Sequence, residues 1–417
     1  MVGKAGRILV SLLVNLMTAR YLGPENYGLL HYAAAYTGFF ASFCSLGIDS
    51  ILVKELTDGP EKEGEILGTA LYLRGISSLL SAAAIFGIVF LADREEAVVL
   101  TVTGLSVLGM VFQIFEVFPY WFQFRQMTKV TAIVTLAACF LSAGYKTILL
   151  LLQKNVVWFA FSAAVEQICM GILLIWAYRC HGGSALHISR ERTCLLLKKS
   201  RHFILPGFMV AIYAQTDKLM LKALLGQAQT GYYSTAVSLC GVWCFVLTAL
   251  IDAWYPEIAK AEKEAEELFL RRNRQLYALV FYISAAVSLV FCLWAETLVV
   301  LLYGQAYLPA AAPLRILTWY TGFSYLGVAR NAWMVCKDRQ KYLIWVYGAA
   351  AAANVVLNAV LIPCWGTCGA AAASLAAQVV TAVVAPFLIG PLRENGRMMM
   401  QALTLRGLWE RKGGKPI

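Results

Sequence analysis

Long apolar runs alternate with short polar segments from one end of the chain to the other. Most runs hold at least 20 residues, the length of a helix that crosses the roughly 30 Å hydrocarbon core of a bilayer. The first run is barely long enough, which leaves open whether the natural helix begins before residue 1. The pattern predicts twelve membrane-spanning helices, near residues 3–20, 28–50, 66–91, 97–119, 130–152, 155–178, 203–225, 231–255, 276–301, 311–335, 342–362 and 368–391.

The composition indicates an all-α integral membrane protein. Of the 417 residues, 60% are hydrophobic and 14% are charged, and the mean hydropathy is +0.67. These values are too apolar for a soluble domain. The first apolar run leads into a charged turn without a cleavage site, so we expect no cleavable signal peptide.

Lysine and arginine set the expected orientation. With the N-terminus in the cytoplasm, 26 of the 35 fall in cytoplasmic segments and three, Arg20, Arg94 and Lys154, fall in outer loops. This asymmetry follows the positive-inside rule and predicts that both termini are cytoplasmic. The net charge of +11 is then explained by orientation and by contact with anionic membrane lipids. We therefore expect no nucleic-acid partner.

A weak internal repeat divides the spans into two sets of six. Leu22-Gly23 recurs as Leu225-Gly226 at an offset of 203 residues, and Ile48-Asp49 recurs at the same offset. Because six is an even number, both halves insert in the same direction, which is a parallel repeat about a pseudo-two-fold axis along the membrane normal. The predicted domains are an N-terminal six-helix lobe at 1–178, a cytoplasmic basic linker at 179–202, a C-terminal six-helix lobe at 203–391 and a cytoplasmic basic tail at 392–417.

The seventh predicted span is unusually polar. It carries Asp217, Lys218 and Lys222, and each charge near the middle of a membrane helix costs roughly 2.5 to 3.5 kcal/mol. Gln215, Lys218 and Lys222 follow one another at helical spacing, so they lie on one face. Charges kept at this cost mark functional sites or are paired inside the protein. For Lys222, near the outer end, the alternative is that its ammonium reaches the lipid headgroups.

Several turns resemble those of a known family. Residues 19–28, ARYLGPENYG, resemble the ARxLGPExYG turn of bacterial oligosaccharide flippases, the Wzx-type branch of the multidrug/oligosaccharidyl-lipid/polysaccharide (MOP) exporter superfamily. Residues 302–310, LYGQAYLPA, resemble the LYGxxYxxA turn of that family. Further matches are LGIDSILVKEL at 46–56, Leu205-Pro206-Gly207, DKLML at 217–221, Gly231-Tyr232-Tyr233, Asn354, Asn358, Ile362-Pro363 and GTCGAA at 366–371. The resemblance extends over nearly the whole chain.

The resemblance implies a MATE-like fold and a transport function. It implies that the chain moves an undecaprenyl-diphosphate-linked oligosaccharide from the cytoplasmic to the outer leaflet by alternating access, for capsule, O-antigen or exopolysaccharide synthesis. The implied location is the bacterial cytoplasmic membrane. The implied partners are the lipid-linked oligosaccharide and membrane lipids, with the polymerase and glycosyltransferases of the same pathway as further candidates. No cofactor and no enzymatic activity are expected. Twelve spans rather than fourteen make peptidoglycan-precursor flippases a poorer match.

Cationic side chains inside the predicted spans are the candidate ligands for the diphosphate. Arginine binds phosphate oxygens through its bidentate fork, and lysine binds them as a point charge. Glu116 and Glu166 pair with these cations or carry coupling protons, and structural pairing is the favoured role. Arg330, near the inner end of its span, and Lys146, near an outer end, have the alternative of reaching the headgroups. The candidates for the substrate cavity are Arg74, Gln215, Asp217, Lys218, Lys222, Arg315 and Arg330.

Other chemistries lack support in the sequence. There is no G-x-x-x-x-G-K-[ST] loop, hence no expected ATP hydrolysis, and the eleven cysteines and four histidines show no metal-ligand spacing. One alternative function is a multidrug or cation antiporter on the same fold. Another is a membrane polymerase or lipid-linked glycosyltransferase, but such an enzyme needs a large outer loop, and no predicted outer loop exceeds about ten residues. The sugar composition, the coupling ion and the oligomeric state are left open.

Overall fold

A computed structural model describes residues 2–403 of the chain. Helices and short turns make up this part, and no β-strand occurs in it. The predicted all-α class is confirmed. Residues 404–417 of the predicted cytoplasmic tail lie outside the described residues. The α-helices are α1 Val2–Ser45, α2 Asp49–Asp58, α3 Glu63–Ala92, α4 Ala97–Phe112, α5 Phe118–Phe124, α6 Thr128–Leu151, α7 Val156–Cys180, α8 Arg190–Leu225, α9 Gln227–Gly241, α10 Cys244–Glu264, α11 Glu266–Leu293, α12 Ala295–Tyr303, α13 Ala311–Cys336, α14 Leu343–Val379, α15 Ala385–Leu388 and α16 Arg393–Ala402.

Seven helical tracts of the described chain are long and apolar enough to cross a membrane, or eight if the bent pair α9 and α10 forms one span. Two of these tracts, Val10–Asp58 and Gln340–Leu388, hold 49 residues each, which is more than twice the length that one span needs. The helices α8 and α13 are not among the seven, and they carry most of the candidate polar residues. The count of twelve spans and the cytoplasmic position of the termini therefore stay predictions.

Glycines in the left-handed region separate several helices. Gly23 has φ 74° and ψ 171° inside α1, and Gly226 has φ 92° and ψ 179° between α8 and α9. An L-residue with a side chain would be strained in this conformation, whereas glycine is not. These are the two glycines that recur at the offset of 203 residues. The predicted repeat thus has the same backbone conformation at both of its first turns, while the superposition of whole lobes stays a prediction.

The chain forms two compact units, and the boundary between them falls between Lys222 and Ala223. Among its described residues, unit 1 has an apolar cluster around Trp121 and Phe122 and another around Val102 and Phe159. The predicted lobes, 1–178 and 203–391, place α8 at the start of the second half. Contacts instead group α8, as far as Lys222, with the first unit. The assignment of six-helix lobes stays a prediction.

Unit 2 has its own apolar core. Phe269, Tyr277 and Trp333 are buried at its centre. Met398 and Met399 of α16 pack into the same core, so this part of the predicted basic tail forms a docked helix. The physical reason is that the basic and polar residues of α16 lie on one side and its apolar residues lie on the other.

Only part of the predicted linker 179–202 is free of helix. Helix α7 ends at Cys180 and α8 begins at Arg190, so the non-helical segment is residues 181–189, here called the strap. The strap lies on the first turns of α3, where a Cβ added at Gly64 would meet the Ala185 carbonyl oxygen at 2.2 Å. A Cβ at Gly68 would lie 2.4 Å from the carbonyl oxygen of His187. These two glycines form a groove that admits an extended backbone.

Hydrogen bonds fix the strap in this groove. The backbone N–H of His187 donates to the Gly64 carbonyl oxygen at 3.2 Å, and the N–H of Ser189 donates to Thr69 Oγ1 at 3.1 Å. Ser184 Oγ donates to Glu63 Oε1 at 2.7 Å. The strap therefore belongs to the packed structure of unit 1 rather than forming a loose connection.

Candidate functional site

Helix α8 runs antiparallel to the second half of α1 within unit 1. A Cβ added at Gly38 would lie 2.8 Å from Gln215 Nε2, and one at Gly207 would lie 2.9 Å from Ser42 Oγ. The two small residues let the polar side chains of the facing helix approach closely. The polar face of α8 is thereby directed at α1, as the helical spacing of Gln215 and Lys218 predicts.

Lys222 lies in a group of charges, here called the ion-pair cluster, together with the buried Asp93 and the partly exposed Glu96. Its ammonium forms an ion pair with Asp93 Oδ1 and donates to Glu96 Oε1 at 2.9 Å. It also lies 5.2 Å from the ring centroid of Tyr32, whose hydroxyl donates to Asp93 Oδ2 at 2.7 Å. Lys222 is 8% exposed. An ammonium directed to the headgroups is therefore not the arrangement that the structure shows.

The ion-pair cluster anchors one end of α8, and a second group of charges anchors the other. Lys199, near the start of α8, pairs with Glu55 of α2, and Arg192 lies 4.0 Å from the same carboxylate. Glu55 is 4% exposed. Ion pairs at both ends explain why a helix with so many charges packs into unit 1, since a buried charge is tolerated when it is paired.

Between these ends, three basic side chains converge in what we call the basic cluster: His31 of α1, Lys146 of α6 and Lys218 of α8. His31 interacts electrostatically with both lysines. Lys218 Nζ donates to the amide oxygen Oε1 of Gln215 at 3.1 Å. Because the Gln215 side chain is neutral, this hydrogen bond does not neutralise the charge of the Lys218 ammonium. Lys146 Nζ donates to Asn15 Oδ1 at 3.2 Å. The sequence predicted Lys218 and Gln215 here, but it assigned His31 no role.

Two candidate carboxylates lie beside the basic cluster. Asp217 is 3% exposed and interacts electrostatically with its neighbour Lys218. Glu166 of α7 interacts electrostatically with Lys146, in keeping with the expected pairing of Glu166 with a membrane cation. For Lys146, whose hydrogen bond to Asn15 is solvent-exposed, the alternative of reaching the headgroups stays a prediction.

A cavity of about 250 Å³ lies in unit 1, and we call it the polar cavity. It brings together the predicted residues Arg74 and Glu116 with Asp49, the first residue of α2. Along α1 it lies 11 residues beyond His31, at Ser42, which corresponds to about 16 Å of helix. Its other polar lining residues are Ser45, Ser78 and Gln113.

Arg74 is the one cationic residue among those that line the polar cavity. It is 4% exposed and forms an ion pair with Asp49. Its Nη1 donates to the Gln113 carbonyl oxygen at 3.5 Å. Its Nε has no hydrogen-bond partner among the described residues. The sequence marked Asp49 only as a landmark of the repeat, because the pairing depends on the packing of α2 against α3.

The remaining candidates, Arg315 and Arg330, lie in unit 2. Arg315 pairs with Glu296 at 2.8 Å, and both side chains are largely exposed. Arg330 is fully buried and donates from Nη1 to the Thr381 carbonyl oxygen at 2.6 Å. The alternative that Arg330 reaches the headgroups is therefore wrong. The two arginines are 15 residues apart on α13, about 22 Å along the helix, so one diphosphate cannot bind both.

Solved structures of known transporters share the fold of this chain. The structure is similar to an inward-facing multidrug resistance MATE family transporter of the MOP superfamily, with a TM-score of 0.71, 14% identity, and coverage of 93% of this chain and 96% of that chain. For the lipid II flippase MurJ in its inward closed conformation the TM-score is 0.76, the identity 10% and the coverage 96% and 90%. A MOP superfamily transporter from Pyrococcus furiosus has a TM-score of 0.66, 14% identity and 94% coverage of both chains. The predicted MATE-like fold is confirmed.

The sequence identifies the family. A search of curated proteins finds no match, but the model of the family described as "Polysaccharide biosynthesis protein" matches residues 1–262. The chain belongs to this family. Family and fold together define a flippase-type membrane transporter rather than an enzyme.

Proposed function

We propose that the chain flips undecaprenyl-diphosphate-linked oligosaccharides from the cytoplasmic to the outer leaflet of the bacterial cytoplasmic membrane, for the synthesis of a surface polysaccharide. The observation that carries this proposal is the basic cluster, in which three helices of unit 1 contribute His31, Lys146 and Lys218. Membership of the polysaccharide biosynthesis family supports a saccharide as the cargo. The charge of the basic cluster supports a diphosphate as its carrier group.

The physical chemistry favours an anion at this position. Diphosphate and sugar hydroxyls cannot cross hydrocarbon without losing their hydration, whereas a polyprenyl tail can stay in the lipid. Lys146 and Lys218 both interact electrostatically with His31, and each also interacts with one carboxylate, Glu166 or Asp217. A diphosphate bound beside His31 would be attracted by both ammonium groups at low dielectric and would accept charge-assisted hydrogen bonds from them. Lys218 is well placed for this role because its ammonium contacts the neutral amide of Gln215.

The other candidate residues take supporting roles in this proposal. Lys222 holds α8 through Asp93 and Glu96, so it positions Lys218 rather than binding the diphosphate itself. Alternating access of a polar site, as in transporters built from repeats, completes the transfer. The glycosyltransferases that build the lipid-linked saccharide and the polymerase that consumes it would then act immediately before and after this chain.

A multidrug or cation antiporter is the weaker alternative on this fold. A cationic drug would be repelled by the two lysines of the basic cluster, Lys146 and Lys218. The family match over residues 1–262 is to polysaccharide biosynthesis, so the antiporter is supported by the fold alone.

Substitution of Lys218 tests the proposal. In cells that depend on this chain, Lys218→Ala should lower export of the glycan about 10- to 100-fold, because a hydrogen bond to a charged group contributes roughly 1.5 to 3 kcal/mol. Lys218→Arg should keep part of the activity, because the charge remains while its geometry changes. The readouts are surface glycan and lipid-linked repeat unit, each normalised to the membrane abundance of the protein.

Lys260→Ala is the matched control, because the Lys260 side chain is 75% exposed and forms an ion pair with Glu264 along its own helix. It should export glycan at the wild-type rate. Full export from a normally abundant Lys218→Ala protein would refute the assignment of the diphosphate to the basic cluster.

A further inference from the structure

The polar cavity has a chemical character different from that of the basic cluster. Its lining holds one positive side chain, Arg74, and two negative ones, Asp49 and Glu116. If all three are ionised, the lining has a net negative charge. A diphosphate placed there would compete with Asp49 for the guanidinium and would be repelled by Glu116. The polar cavity is therefore a poor site for the diphosphate itself.

The lining also disfavours a simple cation as the ligand. Arg74 is more than nine-tenths buried, and its Nε–H has no acceptor in the described structure. A buried donor without an acceptor is costly, and a metal ion or an ammonium group offers no acceptor to satisfy it. A ligand that fits this lining brings an acceptor oxygen to Arg74 and is itself able to donate hydrogen bonds to carboxylates.

Hydroxyl groups have both properties, since each donates one hydrogen bond and accepts two. The serine hydroxyls of Ser42, Ser45 and Ser78 add further partners of the same kind around the cavity. The volume of about 250 Å³ corresponds to roughly eight water molecules in the liquid. That space admits a compact polyhydroxylated ring and is too small to enclose a whole oligosaccharide.

We propose that the polar cavity is a subsite for one sugar residue of the lipid-linked oligosaccharide, with Asp49, Arg74 and Glu116 as its hydrogen-bonding residues. This inference rests on the proposed function. His31 and Ser42 are separated by about 16 Å along α1, so the polar cavity and the basic cluster are distinct sites. A diphosphate in the basic cluster and a sugar farther along the saccharide in the polar cavity can therefore bind at the same time. Asp49 and Glu116 are then specificity-determining residues.

Binding of two lipids to the purified full chain in nanodiscs tests the subsite. One lipid is undecaprenyl diphosphate. The other is the lipid-linked repeat unit extracted from cells in which the gene for this chain is deleted. The wild-type chain should bind the repeat unit at least about 10-fold more tightly, because only this lipid can fill the polar cavity with charge-assisted hydrogen bonds.

Two variants alter the cavity in different ways. Glu116→Gln keeps the size of the side chain and removes its charge, and Ser78→Val replaces a lining hydroxyl with apolar bulk. Both should reduce the preference for the repeat unit about 10-fold while the affinity for undecaprenyl diphosphate stays unchanged. Ser106→Val is the matched control, because the Ser106 hydroxyl donates to the Val102 carbonyl oxygen of its own helix. The control should keep the wild-type preference.

The other outcomes overturn the proposal in distinguishable ways. If both variants keep the preference, or lose affinity for both lipids equally, the cavity is not a sugar subsite and the proposed function still stands. Equal wild-type affinity for the two lipids would likewise exclude the subsite alone. If the wild-type chain binds neither lipid, the proposed function and the subsite fail together.

Discussion

The ion-pair cluster makes a strong prediction about stability. The side chains of Lys222 and Asp93 are each 7% exposed, so Lys222→Met leaves the Asp93 carboxylate buried without its cation. Breaking a buried pair by removing one partner costs roughly 3 to 5 kcal/mol. For a unit of this size each kcal/mol lowers the melting temperature by about 2 to 4 °C. We therefore expect Lys222→Met to melt on the order of 10 °C lower than the wild-type chain.

Variants of the two partners of Lys222 show how much each contributes to this loss of stability. The Glu96 side chain is 47% exposed, so Glu96→Gln should cost less than about 1 kcal/mol. The double variant Lys222→Met with Asp93→Asn should recover most of the loss, because no unpaired charge remains and the new amide oxygen can still accept from the Tyr32 hydroxyl. Thermal melting of the purified full chain in one detergent measures the wild-type chain and all three variants.

Arg315→Met is the matched control for the loss of a cation. Its partner Glu296 is 61% exposed, and an exposed pair of this kind contributes about 0 to 1 kcal/mol. If Lys222→Met melted at the same temperature as Arg315→Met, or if the double variant were no more stable than the single one, the assignment of Lys222 to a buried ion pair would be refuted.

Two further predictions concern the strap and the orientation. Gly68→Ala should destabilise the chain by about 1 to 3 kcal/mol, because its Cβ would lie 2.4 Å from the His187 carbonyl oxygen. The control Gly75→Ala, whose Cβ would have nothing within 4 Å, should stabilise α3 by up to about 1 kcal/mol. Equal melting temperatures of the two variants would contradict the packing of the strap. In a cysteine-free background, an impermeant thiol reagent should modify Glu95→Cys from outside intact cells and Glu264→Cys only after permeabilisation, as the distribution of lysine and arginine predicts. Labelling at 264 in intact cells would reverse the orientation.

The fold class could be predicted from the sequence because it depends on local properties. Hydropathy marks a membrane helix by itself, and the glycine turns, such as the one at Gly23, are short motifs with fixed backbone demands. The number of spans depends on more than local hydropathy, because α8 and α13 carry charges that lower theirs. Whether such helices insert depends on partners elsewhere in the chain.

For the candidate site, the sequence predicts which residues share a face of one helix but not which helices come together. The spacing of Gln215, Lys218 and Lys222 places them on one face of α8, and the structure confirms that both Gln215 and Lys222 face α1. The partner of Lys222 is Asp93, 129 residues earlier, and no periodic pattern connects the two. His31 was missed for the same reason: a lone histidine on an apolar helix acquires a role only when α6 and α8 bring lysines to it.

The strap has a practical consequence for dividing the chain. Its docking groove, at Gly64 and Gly68 of α3, is synthesised more than 100 residues before the strap itself. A fragment that stops at residue 180, at the start of the linker predicted from the sequence, would leave that groove open to solvent and Glu63 without Ser184. Reporter fusions and split versions of the protein should therefore be cut beyond α8, where the strap, its groove and both anchors of α8 remain on one polypeptide.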